Sequence, residues 1–569
     1  MKRKDSKKLF AGLPLVAGEY IRLVIKKMGY RRKVREDVQA ELAAHFEDAL
    51  RDCNNEQEKE QKAQKVIEAF GDAKMLAILL RRAKKRCRPL WRTVIVRCFQ
   101  TIDIAFICLV LYCIYLSLGK PTISVNYIQR AGEIARPVAD ESLNAAPLYL
   151  KAFEMDVEEP NIAGKKLLKV ISGKQTPAEL TEEELVLMKQ WIADNNDALE
   201  IFKQATNKPY CWWKRQAKNN VMFNVLMPEL SKIRNFGKLL CWRAKLDAVT
   251  GHVDETFDDV LACYRAGMHL KGPRSLIQQL VGIAMEAFAC NTSFIILQEK
   301  EIDSPKLQAF QNEFKKLIAS DTFTVNFEVE KFCFYDFIQR CFTDNGRGSG
   351  HFIPGSLNLM DLGKGNIDFE DSNQWNAVNY TVSLGFALTT ANRRETITKY
   401  EKAYDKYEEW TKTTPYQKHQ ANFDAGRELG LADRSFVKVA RYPLYYILMP
   451  AMERVIEISC RIKVHAKAVV TTLAIIRYKQ DKGDYPETLE QLVEAGYVKE
   501  IPMDPWSDKP LVYKKTEGNF ILYSVGSNFK DDGGEVFRDD KGKVKQWADE
   551  SDWVFWPVPK EKARNNEKK

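Results

Sequence analysis

The densest set of residues able to do chemistry lies near the C-terminus, in GSNFKDDGGEVFRDDKG from Gly526 to Gly542. Asp531, Asp532, Asp539 and Asp540 offer carboxylates, and Ser527 and Asn528 add neutral oxygens, the hard donors that suit calcium. Adjacent Asp531 and Asp532 repel each other, and a bound cation would relieve that repulsion and order the loop. The D-x-D-x-D-G spacing of an EF-hand is absent, so a solvated acidic turn stays open beside the calcium reading.

Elsewhere the chemical signals are thin. No G-x-S-x-G, H-E-x-x-H or paired Cys-His signature occurs, and His252, His269, His351, His419 and His465 are isolated in sequence. NGRGSGHFIPG places glycines at 346, 348 and 350, which is not G-x-G-x-x-G, and DLGKGN is not a P-loop because Gly365 follows Lys364. Glu41, His45 and Asp48 share a helix face, but a surface or capping role outweighs a metal site where no second histidine is near. The 12 cysteines form no C-x-x-C pair. Small buried apolar roles are expected for most, with isolated disulfides left open. Tyr210, Trp212 and Trp213, next to Pro209, are expected to plug a helix–loop junction rather than stack on a ligand.

These residues need a scaffold, and the chain of 569 residues is long enough for about three or four domains. Apolar residues at 45% and charged residues at 29% are those of a folded protein. The net charge of +10 is local: Arg81, Arg82, Lys84, Lys85, Arg86, Arg88, Arg92 and Arg97 crowd one stretch without acidic residues. That cluster abuts an apolar run instead of interleaving with aromatics, which argues against nucleic acid. The run, Cys98 to Leu118, would rise about 31 Å as a helix, enough to cross a hydrocarbon core. Asp103 lies in its first two turns, within reach of the interface or of Arg97. Only Lys120 and Arg130 follow closely, so the positive flank predicts a cytoplasmic N-terminus and an exported remainder.

Before the span, VREDVQAELAAHFEDAL spaces Val34, Val38, Leu42, Phe46 and Leu50 four apart, one stripe on one face. Gly71-Asp72 ends one helix and caps the next. The combination E-L-x-x-H-F-E-D-A followed by A-F-G-D resembles the small helical HAAS, or permease prefix, domain. That resemblance implies a cytoplasmic signalling or interaction module ahead of a transmembrane segment.

After the span the pattern is helical. TPAELTEEELVLMKQWIADNNDALEIF carries two capping boxes, Thr176 with Glu179 and Thr181 with Glu184, and the stripe Leu185, Met188, Ile192, Leu199 and Phe202. LLCWRAKLDAVTGHVDETFDDVLACYRAG reads as a helix, a turn at Gly251 and a second helix. The hairpin is like one tetratricopeptide unit, but no fixed period follows, so irregularly stacked helical pairs are expected. ETITKYEKAYDKYEEWTK continues as a polar helix.

The last region is punctuated more tightly. Tyr445 to Lys479 reads as a long helix, starting near Pro450, with stripe Val455, Ile458, Ile462, Ala466, Val469, Leu473 and Ile476. Its charges exclude it from a bilayer. Gly483 stops it, Tyr485-Pro486 turns the chain, PETLEQLVEAG forms a short helix, Asp504-Pro505-Trp506 makes a corner, and LVYKK with NFILYSVG alternate as a hairpin. Tyr478, Gly483, Tyr485, Pro486, Asp504, Pro505, Trp506, Tyr513, Leu522, Tyr523, Ser524 and Gly526 together resemble the globular part of type II secretion pseudopilins. The resemblance implies a long helix covered by a small sheet, followed by a calcium-binding loop corresponding to Ser527–Asp540. It departs from the family in that the hydrophobic span lies far upstream instead of leading directly into the module.

The expected class is mainly α, with a C-terminal α+β module. Its parts are a basic tail (1–17), a cytoplasmic HAAS-like domain (18–85), the span (98–118), a helical ectodomain (137–343), a Gly-rich loop (344–375), a helical linker (376–443), the pseudopilin-like module (444–557), expected to fold separately, and a basic tail (558–569). A non-enzymatic bacterial envelope protein of the inner membrane follows, with the lipid bilayer and envelope proteins as partners. The alternatives are an accessory component of a type II secretion or pilus-like assembly, and a membrane-anchored hydrolase.

Overall fold

The computed structural model describes residues 10–86, 90–136, 140–171, 173, 175–217, 220–321, 324–356, 372–540 and 542–560. Most of both basic tails, DLGKGN and Arg88 lie outside them. The chain divides into two compact units, Met1–Tyr112 and Cys113–Lys569.

The first unit holds α1 (Leu15–Lys27), α2 (Arg32–Leu50), α3 (Glu56–Phe70), α4 (Ala73–Arg86) and most of α5 (Leu90–Ser117). On α2, Val38, Leu42, Phe46 and Leu50 are buried, and Val34 is half-buried. Each large apolar side chain taken out of water in this way contributes about 1.5–3 kcal/mol. Phe46 and Phe70 pack at 5.8 Å, and Tyr20 Oη donates to the Gly71 carbonyl at 2.9 Å. Gly71 adopts φ 74° to end α3, and Asp72 Oδ2 accepts the Lys74 and Met75 N–H groups to open α4. Glu41, His45 and Asp48 go separate ways, to Lys84 at 2.6 Å, the Phe70 ring at 5.2 Å and Arg51 at 3.4 Å.

Within α5, Val94–Ser117 has a mean hydropathy of 2.1 and its most apolar window is wholly unburied. Arg97 donates to Gln100 at 3.4 Å, not to Asp103.

The second unit is helical with small antiparallel sheets, most of them near its C-terminal end. Its main helices begin with α6 (Tyr127–Ala135), α7 (Ala146–Glu154), α8 (Glu182–Asp194) and α9 (Asn196–Thr206). Both capping boxes form. The apolar stripe is carried by two helices, α8 and α9, because buried Asn195 accepts the Val157 N–H and donates to the Trp191 carbonyl at the break. Then come α10 (Glu229–Thr250), α11 (Val253–Met268), α12 (Leu276–Glu299), α13 (Ser304–Ser320) and α14 (Glu328–Cys341). The hairpin turns at Gly251, φ 93°. Where α11 crosses α12, a Cβ on Gly267 or on Gly282 would lie 2.6 Å from the other's carbonyl oxygen, so the backbones meet there. Helix α12 is also long and apolar (mean hydropathy 1.8), but 67% of its most apolar window is buried, which makes it a core helix.

Next are α15 (Ser372–Thr389), α16 (Arg393–Trp410), α17 (Phe436–Arg441) and the long α18 (Pro443–Lys482). Helix α18 begins at Pro443 and runs through Pro450, not from it. Its first turns are tied down by Tyr445 Oη on the Leu429 carbonyl and Tyr407 Oη on the Met449 carbonyl. Its stripe is covered by α12 and α13 as well as by the sheet. More than one face is apolar: Val464, Ala468, Ala474 and Ile475 are buried alongside Ile462, Val469 and Leu473. One hydrophobic cluster therefore runs from Tyr149 through α18 to Trp506 and Trp556, and the helical ectodomain and the C-terminal module share it.

Two-residue ladders form at β1 (Asn161–Ile162) with β2 (Lys165–Lys166) and at β3 (Met503–Asp504) with β4 (Lys509–Pro510). A three-stranded sheet joins β5 (Val512–Thr516), β6 (Asn519–Ser524) and β7 (Trp553–Trp556). The helix read from PETLEQLVEAG is shorter, Glu490–Glu494.

Candidate functional site

The chemistry-bearing loop hangs from the corner at Asp504. The Asp504 carboxylate is fully buried and accepts the Trp506 N–H (3.0 Å), the Ser524 hydroxyl (2.9 Å) and the Val525 N–H (3.1 Å). It thus fastens the D-P-W corner to the end of β6. Gly526 follows with φ 69°, and a Cβ there would lie 2.7 Å from the Ser551 carbonyl. The glycine of L-Y-S-x-G is needed both for its backbone conformation and for that close approach.

Beyond Gly526 five of the six sequence-predicted ligands find partners within the chain. Ser527 Oγ donates to Asp549 at 2.8 Å, and Asn528 Nδ2 donates to Asp532 Oδ2 at 2.6 Å. Asp531 Oδ1 accepts the Tyr523 hydroxyl at 2.6 Å and the Gly533 N–H at 2.9 Å, and the Tyr523 bond holds its carboxyl below the usual range. Asp539 Oδ1 closes its own turn on the Lys543 N–H, and Asp540 is exposed. The structure brings Asn528 to Asp532 and Asp531 to Tyr523. Among the described residues, no three His, Cys, Asp or Glu side chains converge as a ligand set.

The sequence reading missed Asp552, which opens β7. It is 2% exposed; Oδ2 accepts the Gly534 N–H at 2.7 Å, while buried Oδ1 has no hydrogen-bond partner. Burial, with the nearby Asp531 and Asp532 charges, pushes its carboxyl up to about 6. The available signal was the β-forming run Trp553–Trp556 directly after it, which marks a strand that carries Asp552 into the interior.

A folded-state value above the usual ~3.9 means that the folded chain binds the extra proton, so this contribution is full at low pH and fades as pH rises toward 6. The melting temperature of the full chain is expected to fall across that window, and Asp552→Asn to remove that component. Millimolar calcium is the right range for an extracellular module. Calcium that neutralises Asp531 and Asp532 should raise the melting point at pH 7.5, and Asp532→Ala should abolish the rise. An unchanged curve in calcium leaves a solvated acidic turn.

Other clefts are built differently. A cavity of about 230 Å³ lies between α6 and α14, lined by Ile128, Trp213, Met222, Ile277 and Val329. Trp212 Nε1 donates to Gly132 and Tyr210 Oη to Asp140, so this aromatic group seals the junction ahead of α10. His269 lines a second cleft, but Nδ1 meets Tyr149 Oη at 2.9 Å and Nε2 meets the Lys208 carbonyl at 2.8 Å. Burial lowers it to about 4, which keeps it neutral at pH 7. His419 stacks on Phe529 at 4.0 Å and His465 on Phe294 at 5.5 Å. Cys241 and Cys263 face each other across α10 and α11, Sγ to Sγ 3.7 Å, both buried. Set against known proteins, the chain matches no family profile, no curated protein and no solved structure.

Proposed function

We propose that the chain is a non-enzymatic bacterial envelope protein of the inner membrane. It is anchored by one span, with its helical headpiece in the cytoplasm, and it works through protein–protein contacts of its exported part. The observation that carries this reading is α5: a helix long enough to span, apolar over Val94–Ser117 and uncovered through its most apolar window, with its basic residues on the N-terminal side. The neutral, hydrogen-bonded His269 and the ring-stacked His419 and His465 favour this reading over a hydrolase. The Asp504 latch joining the D-P-W corner to L-Y-S-x-G favours the second reading, an accessory part of a type II secretion or pilus-like assembly. Burial of the α18 stripe against α12 and α13 counts against packing into a pseudopilus.

Protease added to intact spheroplasts should remove the bulk of the chain and leave a fragment ending near residue 120. A fully protected C-terminal part overturns the orientation.

A further inference from the structure

The last turn of α5, from Cys113 on, belongs to the second unit and packs within it. Leu116 is fully buried, the Tyr115 ring lies 4.8 Å from that of His351, and Ser117 Oγ accepts the Tyr380 hydroxyl at 2.7 Å. A Cβ on Gly119 would lie 2.7 Å from His351 Nε2, so the chain leaves the helix in close contact with the folded body. Tyr380 belongs to α15, which is thereby fixed at the end of the span.

Helix α15 is unusual for a surface helix. From Ser372 to Asn392 the sequence holds no Asp, Glu, Lys or Arg. Its outward face presents Thr381, Val382, Gly385, Leu388 and Thr389, with Val382 53% exposed. A helix facing water normally turns charged or strongly polar residues outward. Helix α17 continues the same surface: Thr389 Oγ1 donates to the Ala440 carbonyl, and the Ala391 N–H to the Arg441 carbonyl at 2.9 Å. On α17, Phe436 is 84% exposed and Val437 72%, the most exposed large apolar pair in succession among the described residues of this unit. Arg434 is exposed beside them, Lys438 is paired with Asp433 at 2.5 Å, and Arg441 is paired with Glu395 at 2.6 Å.

We propose that α15 and α17 lie on the bilayer beside the span, in the leaflet facing the exported part, with Phe436, Val437 and Val382 in the boundary between headgroups and acyl chains. The inference rests on the reading of α5 as a span. Continuity with that span selects lipid over a protein partner. A residue hydrogen-bonded to Ser117 sits at the level where the apolar helix ends, and tyrosine with its hydroxyl at that level is the usual occupant of the interface. An uncharged helix face flanked by a short, highly exposed apolar tip fits a surface that is apolar below and polar above.

The test is photo-crosslinking in native membranes with the full chain, placing p-benzoylphenylalanine singly at Phe436, Val382 or, as control, Val186, an exposed apolar position on α8. Phospholipid adducts are expected at Phe436 and Val382, enriched about tenfold over Val186 for side chains held at the acyl boundary. Absence of lipid adducts at both positions, or protein adducts in their place, overturns the inference. Alkaline carbonate extraction of the same membranes separates the two readings. A chain that stays in the pellet without lipid adducts overturns the surface placement alone, whereas release into the supernatant overturns the span as well.

Discussion

Replacing Asp259 with alanine is expected to destabilise the second unit by about 3–5 kcal/mol, the usual cost of stranding one partner of a buried ion pair. The Arg243 guanidinium meets Asp259 through two bonds, Nε to Oδ2 at 2.6 Å and an amino group to Oδ1 at 2.7 Å. Asp259 is 1% exposed, and Lys203 Nζ adds a contact at 3.1 Å. Arg243 also reaches Asn196 and Glu200 at 2.9 Å, so a single cation ties α9, α10 and α11 together. Without Asp259, its charge would stay in a site built to exclude water, with half-exposed Glu200 as its remaining ion-pair partner. Urea unfolding of the detergent-solubilised chain, followed by tryptophan fluorescence, measures the loss. The double variant Arg243→Met, Asp259→Leu should recover much of it, because replacing a buried pair by apolar groups of similar volume is often near neutral. If Asp259→Ala unfolds at the parent's urea midpoint, the pair is not the clamp described.

How far the sequence predicts this structure depends on the range of the interactions concerned. The Gly71-Asp72 junction, the two capping boxes, the Gly251 turn and the stop at Gly483 are read from neighbouring residues, because their hydrogen bonds close within a few positions. The α2 stripe is legible for the same reason: four-residue spacing is a local geometric fact. The extent of the α18 stripe was not. Val464 and Ile475 look like extra apolar residues on a charged helix until α12 and α13, drawn from far upstream, are packed on them. Strand β7 is separated from β6 by the whole acidic loop, so nothing local announces its pairing.

The loop shows the same limit from the side of chemistry. Residue types alone single out Asp531, Asp532, Asp539 and Asp540, but a carboxylate is available to an outside ligand only in so far as the chain leaves its oxygens unused. Tyr523 claims Asp531 from the adjoining strand, and Asn528 claims Asp532 from within the loop. Asp552, in contrast, is the last acid of ADESD in sequence, just ahead of two tryptophan-bracketed apolar residues. Its position under the loop exists only once β7 is paired with β6, and with it the pH response.

Trp506→Ala should cost about 3–5 kcal/mol, as expected for emptying a large aromatic site in a core. Trp506 is 1% exposed, and its ring meets that of Trp553 edge-on at 4.4 Å. Trp553 in turn packs on Trp547 at 5.0 Å, and the Arg461 guanidinium of α18 lies over it at 4.6 Å. The Trp506 indole thus joins the corner to a stack, centred on Trp553, that reaches the last strand and the long helix. The corner also reaches the segment ahead of α18, through the Tyr416 N–H on the Pro505 carbonyl at 3.0 Å. Removing the ring opens a cavity that the backbone cannot collapse to fill, because Asp504 pins both sides of it through Trp506 N–H and Val525 N–H. Loosening is therefore expected to spread to β7 and to the acidic loop. Limited proteolysis of the intact chain should show new cuts between about 500 and 560, while the helices of the first unit keep their protection. Trp506→Phe, which keeps part of the edge-on contact, should lie between the parent and the alanine variant. A Trp506→Ala chain as resistant to protease as the parent would mean that the stack is held together without the Trp506 ring.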